Sequence, residues 1–190
     1  MNSKPIVPVF YACDDNFVKY TVVSLYSMIS NASKDYQYKI YVLNTNISPS
    51  MQQVMLDMQN DNFTIIFTDV TDYLNSIRDK LPLRDYYSKT TYFRLFIAEM
   101  FPEYSKAIYI DSDTIVEGDI SKLYEEELGD CYVGAVHEQA MVQEDCYGSY
   151  VEKVLGIDRN NFFNAGLLLI NCRQFRDNHV LDQFLKLLHV

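Results

Sequence analysis

The sequence has no tryptophan, only six glycines and five prolines in 190 residues, too few for a collagen-like, low-complexity or disordered chain. Its four cysteines, Cys13, Cys131, Cys146 and Cys172, are widely separated and form no Cys-x-x-Cys pair. That spacing indicates neither a disulfide framework nor a thiolate metal site, and the thiols read as small side chains of a reducing compartment. Long apolar runs are missing too, none approaching the roughly 18 residues of a membrane span. Residues 1–10 lack the charged-then-apolar order of a secretion signal, and Pro5 and Pro8 interrupt them. The Asn-x-Ser/Thr triplets beginning at Asn31, Asn46 and Asn62 therefore read as chance, and the chain as soluble and cytoplasmic. Basic residues are scarce: 16 Lys and Arg face 26 Asp and Glu, a formal charge of −10. Such a chain repels nucleic acid and anionic membranes, which are bound through Lys and Arg. An anionic ligand would need a cation between itself and this protein, and a bridging divalent metal is the simplest one.

What is present is enough for one core. Hydrophobic residues make up 48% of the chain, and at this length roughly 70% of the unfolded surface is buried on folding. Short apolar runs alternate with helical periods, the pattern of an α/β fold. Ile6 to Cys13 predicts a buried strand, followed by the turn Asp14-Asp15-Asn16 and a helix from Phe17 to Ser30, with apolar residues at 18, 22, 25, 26 and 29. Ile40 to Leu43 predicts a second strand. Ser48 then stands as an N-cap with Pro49 at the first helical position, opening a helix that carries Val54, Met55 and Met58. Phe63 to Phe67 predicts a third strand, completing a β-α-β-α-β series with room for parallel crossovers. Asp69 to Tyr87 reads as a loop, with the Tyr-rich stretch Leu83 to Tyr87 exposed. Thr90 to Met100 predicts a helix ended by Pro102, and Ala107 to Ile110, Cys131 to Val136 and Gly166 to Ile170 predict strands, the last of them central. A final helix from about Asn178 carries Leu181, Phe184, Leu185 and Leu188. No internal repeat or flexible linker divides the chain.

Four places carry chemistry. Asp111 and Asp113 follow the strand Ala107 to Ile110, and strand alternation would aim both carboxylates the same way at the strand's end. Such a pair suits a hard divalent cation, although two solvated turn aspartates would look the same. Asp14 and Asn16 are able to hydrogen-bond the edge of a base while Phe17 stacks on its face, or simply to form an Asx turn that starts a helix. Asn164 leads a small-residue turn into Gly166, suited to close backbone approach or merely to a tight bend. Arg94 lies within an apolar helix and must snorkel out, pair with a carboxylate or reach an anionic ligand. The three histidines, His137, His179 and His189, have no ligand spacing, and Glu125-Glu126-Glu127 reads as a solvated face.

Taken together, VFYACDDNF, TTYFRL, AIYIDSDTIV, CYVGAV and FFNAGLLLINCRQF occur in the order and spacing of glycosyltransferase family 8, which the chain resembles from Val9 to about Phe175. The resemblance implies a GT-A fold: α/β, a Rossmann-like, mostly parallel sheet with helices on both faces, in a single donor-binding domain over residues 1–190. It implies retaining transfer of glucose or galactose from a UDP-sugar to a hydroxyl of a glycan or glycolipid acceptor. By the same resemblance, Ala12, Asp14, Asn16 and Phe17 would meet the uridine, and Asp111 and Asp113 would hold Mn²⁺ or Mg²⁺ against the diphosphate. Ser112 would approach the ribose through its backbone, and Arg94 would sit near the phosphate and sugar. Asn164, Ala165 and Glu138 would contact sugar hydroxyls, and the Leu83 to Tyr87 stretch would fold over bound donor.

Two family segments are not found: the HxxGxxKPW segment, whose His completes the metal site, and an Asp-Gln-Asp segment near the reacting carbon. The expectation is therefore a donor-binding portion with a weakened metal site and little turnover of its own. Any peripheral membrane association is left to segments beyond Val190. Two other readings use the same residues. One is a nucleotide-binding chain without catalysis. The other is a haloacid-dehalogenase-like phosphatase, with Asp111 of DxDxT as nucleophile and Asp113 as acid/base.

Overall fold

The computed structural model describes residues 4–77 and 89–187. The stretch Leu83 to Tyr87 lies outside the described residues. Six strands form one sheet: β1 (Ile6–Ala12), β2 (Gln37–Asn44), β3 (Phe63–Asp69), β4 (Ala107–Ile110), β5 (Val133–His137) and β6 (Phe163–Ile170). Their order is β3-β2-β1-β4-β6-β5. The first four are mutually parallel, and β6 runs antiparallel to both its neighbours.

The sheet is covered on both faces, which explains the unbroken apolar run of β1. Val7, Val9 and Tyr11 join one core together with Ile108 and Ile110 of β4. That face is closed by Val18, Leu25 and Met28 of α1 (Val18–Asn31), Met55 of α2 (Pro49–Leu56) and Ile120 of α5 (Ile120–Glu125). The intervening Phe10, Ala107 and Tyr109 join the second core. Phe93, Phe96 and Ile97 of α4 (Phe93–Met100), Phe175 of α8 (Cys172–Asp177) and Leu181 and Leu185 of α9 (Val180–Leu187) cover it. Phe10 stacks on Tyr41 at 4.8 Å between ring centroids, joining β1 to β2 on this face.

The sequence-based elements are recovered with differences that have local causes. Ser48 caps α2 with Pro49 in its first turn, but through its backbone position, since its side chain makes no capping bond. Met55 is buried whereas Val54, 100° round the helix, is 48% exposed, and α2 ends before Met58. In α1 the buried stripe runs through Thr21 and Ser24, and Tyr26 points outward at 67% exposure. The predicted helix at Thr90 begins with a 3₁₀ turn, Lys89–Tyr92, before α4. Within the expected loop after Asp69, Thr71–Ser76 forms a short helix, α3. The connection between β5 and β6 carries α6 (Gln139–Gln143), α7 (Asp145–Lys153) and a 3₁₀ turn at Arg159–Asn161.

Candidate active site

From β1 the chain builds outward through β2 and β3, then returns to lay β4 on the other side of β1. Ligands of open α/β sheets sit beyond the carboxyl ends of the strands at such a reversal. A cleft of about 180 Å³ opens there. β1 and its following turn supply Ala12, Cys13, Asp14 and Phe17; Thr90, Thr91 and Arg94 come from the 3₁₀ turn and α4; Tyr109, Asp111, Ser112 and Asp113 come from β4 and the turn after it.

Asp111 is fixed before any ligand arrives. The Tyr109 hydroxyl donates to its Oδ1 at 2.7 Å and Arg94 Nη2 to the same oxygen at 2.9 Å. The guanidinium lies over the Tyr109 ring, 4.4 Å from its centroid, and donates through Nε to the Thr91 carbonyl at 3.0 Å and through Nη1 to the Ala165 carbonyl. Arg94 is only 13% exposed, so of the three fates open to a lone Arg in an apolar helix it takes the carboxylate pair. Burial pushes the Tyr109 hydroxyl pKa above its ordinary value; the Arg94 charge opposes this and the Asp111 charge adds to it. The phenol is therefore a neutral donor across the physiological range.

The strand pleat explains Tyr109 and Asp111 facing the same way but not Asp113. β4 ends at Ile110, and residues 111–114 close a turn in which Thr114 N donates to Asp111 O at 3.3 Å. The turn, not the pleat, brings the exposed Asp113 to the cleft, while Ser112 between them is buried.

The reversed direction of β6 puts its beginning beside the end of β4. Asp111 N donates to Gly166 O at 2.7 Å. A Cβ on Gly166 would stand 2.9 Å from Asp111 Oδ2 and 3.0 Å from Asn164 Oδ1, so the backbone passes these groups as closely as only glycine permits. Asn164 Oδ1 accepts from Gly166 N and Asn164 Nδ2 donates to Glu138 Oε2, both at 2.7 Å. Glu138 also caps α6, accepting from Ala140 N at 3.4 Å. Asn164 and Glu138 thus form a pair beside the cleft rather than in its lining, joined to it by Ala165 through Arg94.

On the β1 side, Asp14 Oδ1 accepts from the amides of Asn16 at 3.0 Å and Phe17 at 3.1 Å, an Asx turn whose residue also lines the cleft. Phe17 presents a ring that is 47% exposed, and Asn16 is exposed on the same turn outside the lining. Asp15, not singled out from sequence, ties this turn to α2 by accepting from Ser48 N at 2.8 Å. Cys13, Thr90, Thr91 and Tyr109 also escaped the sequence reading. For Tyr109 a signal existed, since it lies two residues before Asp111 on one strand. Burial pushes the Cys13 thiol up to about 11, so it is not a nucleophile.

Asp14, Asp111 and Asp113 face one Arg94 in the lining, so the cleft is acidic like the protein around it. Among the described residues, no three His, Cys, Asp or Glu side chains gather into a metal cage. Two carboxylates are nonetheless what Mg²⁺ or Mn²⁺ takes from a protein when water and phosphate oxygens complete its shell, so the donor set of Asp111 and Asp113 fits such an ion.

A family model described as "Glycosyl transferase family 8" matches residues 8–190. The chain belongs to this family. A curated relative, a putative glycosyltransferase of Haemophilus influenzae (strain ATCC 51907 / DSM 11121 / KW20 / Rd), is 24% identical over 92% of this chain and 51% of its own length. Among solved structures, the bifunctional glycosyltransferase WbbM superposes with a TM-score of 0.80 at 28% identity, over 98% of this chain and 34% of that one. The galactosyltransferase LgtC, in complex with donor and acceptor sugar analogues, superposes with a TM-score of 0.71 at 27% identity, over 90% of this chain and 60% of that one. The fold is accordingly the GT-A architecture of family 8. The chain spans about half the length of the curated relative.

Proposed function

We propose that this chain carries the donor site of a retaining hexosyltransferase, moving glucose or galactose from a UDP-sugar to a hydroxyl of a glycan or glycolipid acceptor in the cytoplasm. One observation supports this above the others: the Asp111–Asp113 turn stands at the reversal between β1 and β4, in a cleft whose own charge would repel a diphosphate. Asp111 and Asp113 would hold the divalent ion. Such an ion offsets the charge that builds on the departing UDP.

The chain's own residues supply the rest. Phe17 offers its exposed ring to the uracil, and Asp14 and Asn16 offer polar edges to the base and ribose. Ser112 brings the turn's backbone to the ribose. Arg94, anchored to Asp111 and the Ala165 carbonyl, presents a fixed positive charge to phosphate and sugar. Asn164, Ala165 and Glu138 hold sugar hydroxyls. The two Glu138 oxygens are taken by Asn164 Nδ2 and Ala140 N, which suits holding a sugar better than attacking one. Retention then follows a front-face route in which a leaving phosphate oxygen takes the acceptor proton. Family membership favours this reading over the phosphatase one, which uses the same DxDxT differently.

Saturation-transfer NMR with Mg²⁺, which is diamagnetic, tests donor class. UDP-glucose or UDP-galactose is expected to receive saturation on uracil, ribose and hexose protons, with GDP-mannose receiving far less. Equal transfer to both nucleotides would contradict the uridine assignment.

A further inference from the structure

The buried stripe of α1 contains two polar residues, Thr21 and Ser24, both at 0% exposure. Hydroxyls so placed need partners, because a lost one leaves a desolvated oxygen. Ser24 finds its partner in the neighbouring strand, the Tyr11 hydroxyl at 3.0 Å. Thr21 reaches further. Its Oγ1 lies 2.9 Å from Ser112 Oγ, 91 positions along the chain, between the two aspartates of the β4 turn. Ser112, itself 5% exposed, donates to the Ala12 carbonyl at 3.2 Å. Thr21 Oγ1 also lies 3.2 Å from both Cys13 Sγ and the Phe17 carbonyl. Each hydroxyl has one proton to give. The shortest of the Thr21 contacts is the one to Ser112 Oγ, and an assignment built on it uses every donor once: Cys13 S–H to the Asp14 carbonyl at 3.2 Å, Thr21 O–H to Ser112 Oγ, and Ser112 O–H to Ala12 O. The chain of bonds runs from α1 through the β4 turn to the end of β1, directly behind the cleft.

We infer that Thr21 is a positioning residue of the donor site. It fixes the Ser112 rotamer, and with it the 111–114 turn that presents Asp111 and Asp113. Without its hydroxyl, Ser112 loses its tie to α1 and keeps partners only at the end of β1, the Ala12 carbonyl and the Cys13 thiol. The turn then gains freedom at the point where backbone and carboxylates meet the nucleotide. The inference rests on the donor-site reading above for its functional consequence, though not for its effect on the turn.

The test compares Thr21→Val, Thr21→Ser and Ser24→Ala in two measurements: amide hydrogen exchange at residues 111–114, and the calorimetric Kd of UDP in saturating Mn²⁺. Thr21→Val is expected to accelerate exchange selectively in the turn and to weaken UDP by about fivefold to tenfold, the scale of one hydrogen bond. Thr21→Ser keeps the hydroxyl and is expected to restore both. Ser24→Ala removes a buried hydroxyl from the same helix and is expected to lower thermal stability while leaving turn exchange and Kd unchanged. Ser112→Ala cuts the same link from its other end, so it reads the effect if Thr21→Val does not fold. A Thr21→Val protein with normal turn exchange, or one indistinguishable from Ser24→Ala, overturns the inference. Should the unmodified protein bind no UDP, the donor-site reading fails, and the exchange data alone decide whether Thr21 holds the turn.

Discussion

Asp111 and Arg94 are bound to each other and to their surroundings so closely that altering either disturbs the other. A lysine at 94 keeps the charge but cannot span Asp111, the Ala165 carbonyl and the Thr91 carbonyl while lying flat on Tyr109. Arg94→Lys is expected to cost about 1–2 kcal/mol in stability, by denaturant titration, because hydrogen-bond acceptors in a half-buried site lose their donors. Unchanged stability would mean that the charge alone matters. Gly166→Ala tests the other side of the carboxylate. Its Cβ would fall 2.9 Å from Asp111 Oδ2, so the side chain must turn away. The expected result is at least a tenfold loss of Mn²⁺-dependent UDP affinity with the fold retained, read by calorimetry and circular dichroism. The pairing of Tyr109 with Asp111 was readable from strand alternation. The choice Arg94 makes among its three fates was not, since its partners lie 17 and 71 positions away.

At the scale of elements, what reads well from sequence is what is buried on both sides. β1 and β4 are near-continuous apolar runs because a core lies on each face of the sheet. β5, an edge strand whose residues are half-buried or exposed, gives a weaker signal and begins two residues later than expected. The direction of β6 is not legible at all, since Gly-Leu-Leu-Leu-Ile carries no mark of which way it runs. Yet that reversal brings Asn164, Ala165 and Gly166 to Asp111. Short polar helices such as α6 and α7 escape detection because they bury little. α5 depends on its cap. Asp119 accepts from the Ser121 amide and hydroxyl and from the Ser33 amide, tying α5 to the end of α1. Partial burial pushes its carboxyl pKa up, but these hydrogen bonds outweigh it and hold the pKa below the ordinary aspartate value. Stability from this group is therefore present above about pH 4 and lost as pH falls through the lowered value. Asp119→Ala is expected to cost about 1 kcal/mol near neutral pH, and to flatten the acid limb of a melting-temperature profile. An unaltered acid limb would assign the acid sensitivity to other carboxylates.

Over the whole molecule, the formal charge of −10 and a cleft with three aspartates and one arginine pose the same problem at two scales. An anion as dense as a diphosphate gains nothing by approaching such a protein unless a cation comes with it. Arg94 is one positive centre and it is shared with Asp111, so on the donor-site reading a divalent ion would supply the second. The decisive measurement is calorimetric titration of UDP into the protein with and without Mn²⁺. Binding heat is expected only when the metal is present, and is expected to vanish in Asp111→Asn and Asp113→Asn proteins that remain folded. Equal heat without metal, or undiminished heat in both variants, would show that these carboxylates do not bind the nucleotide through a metal.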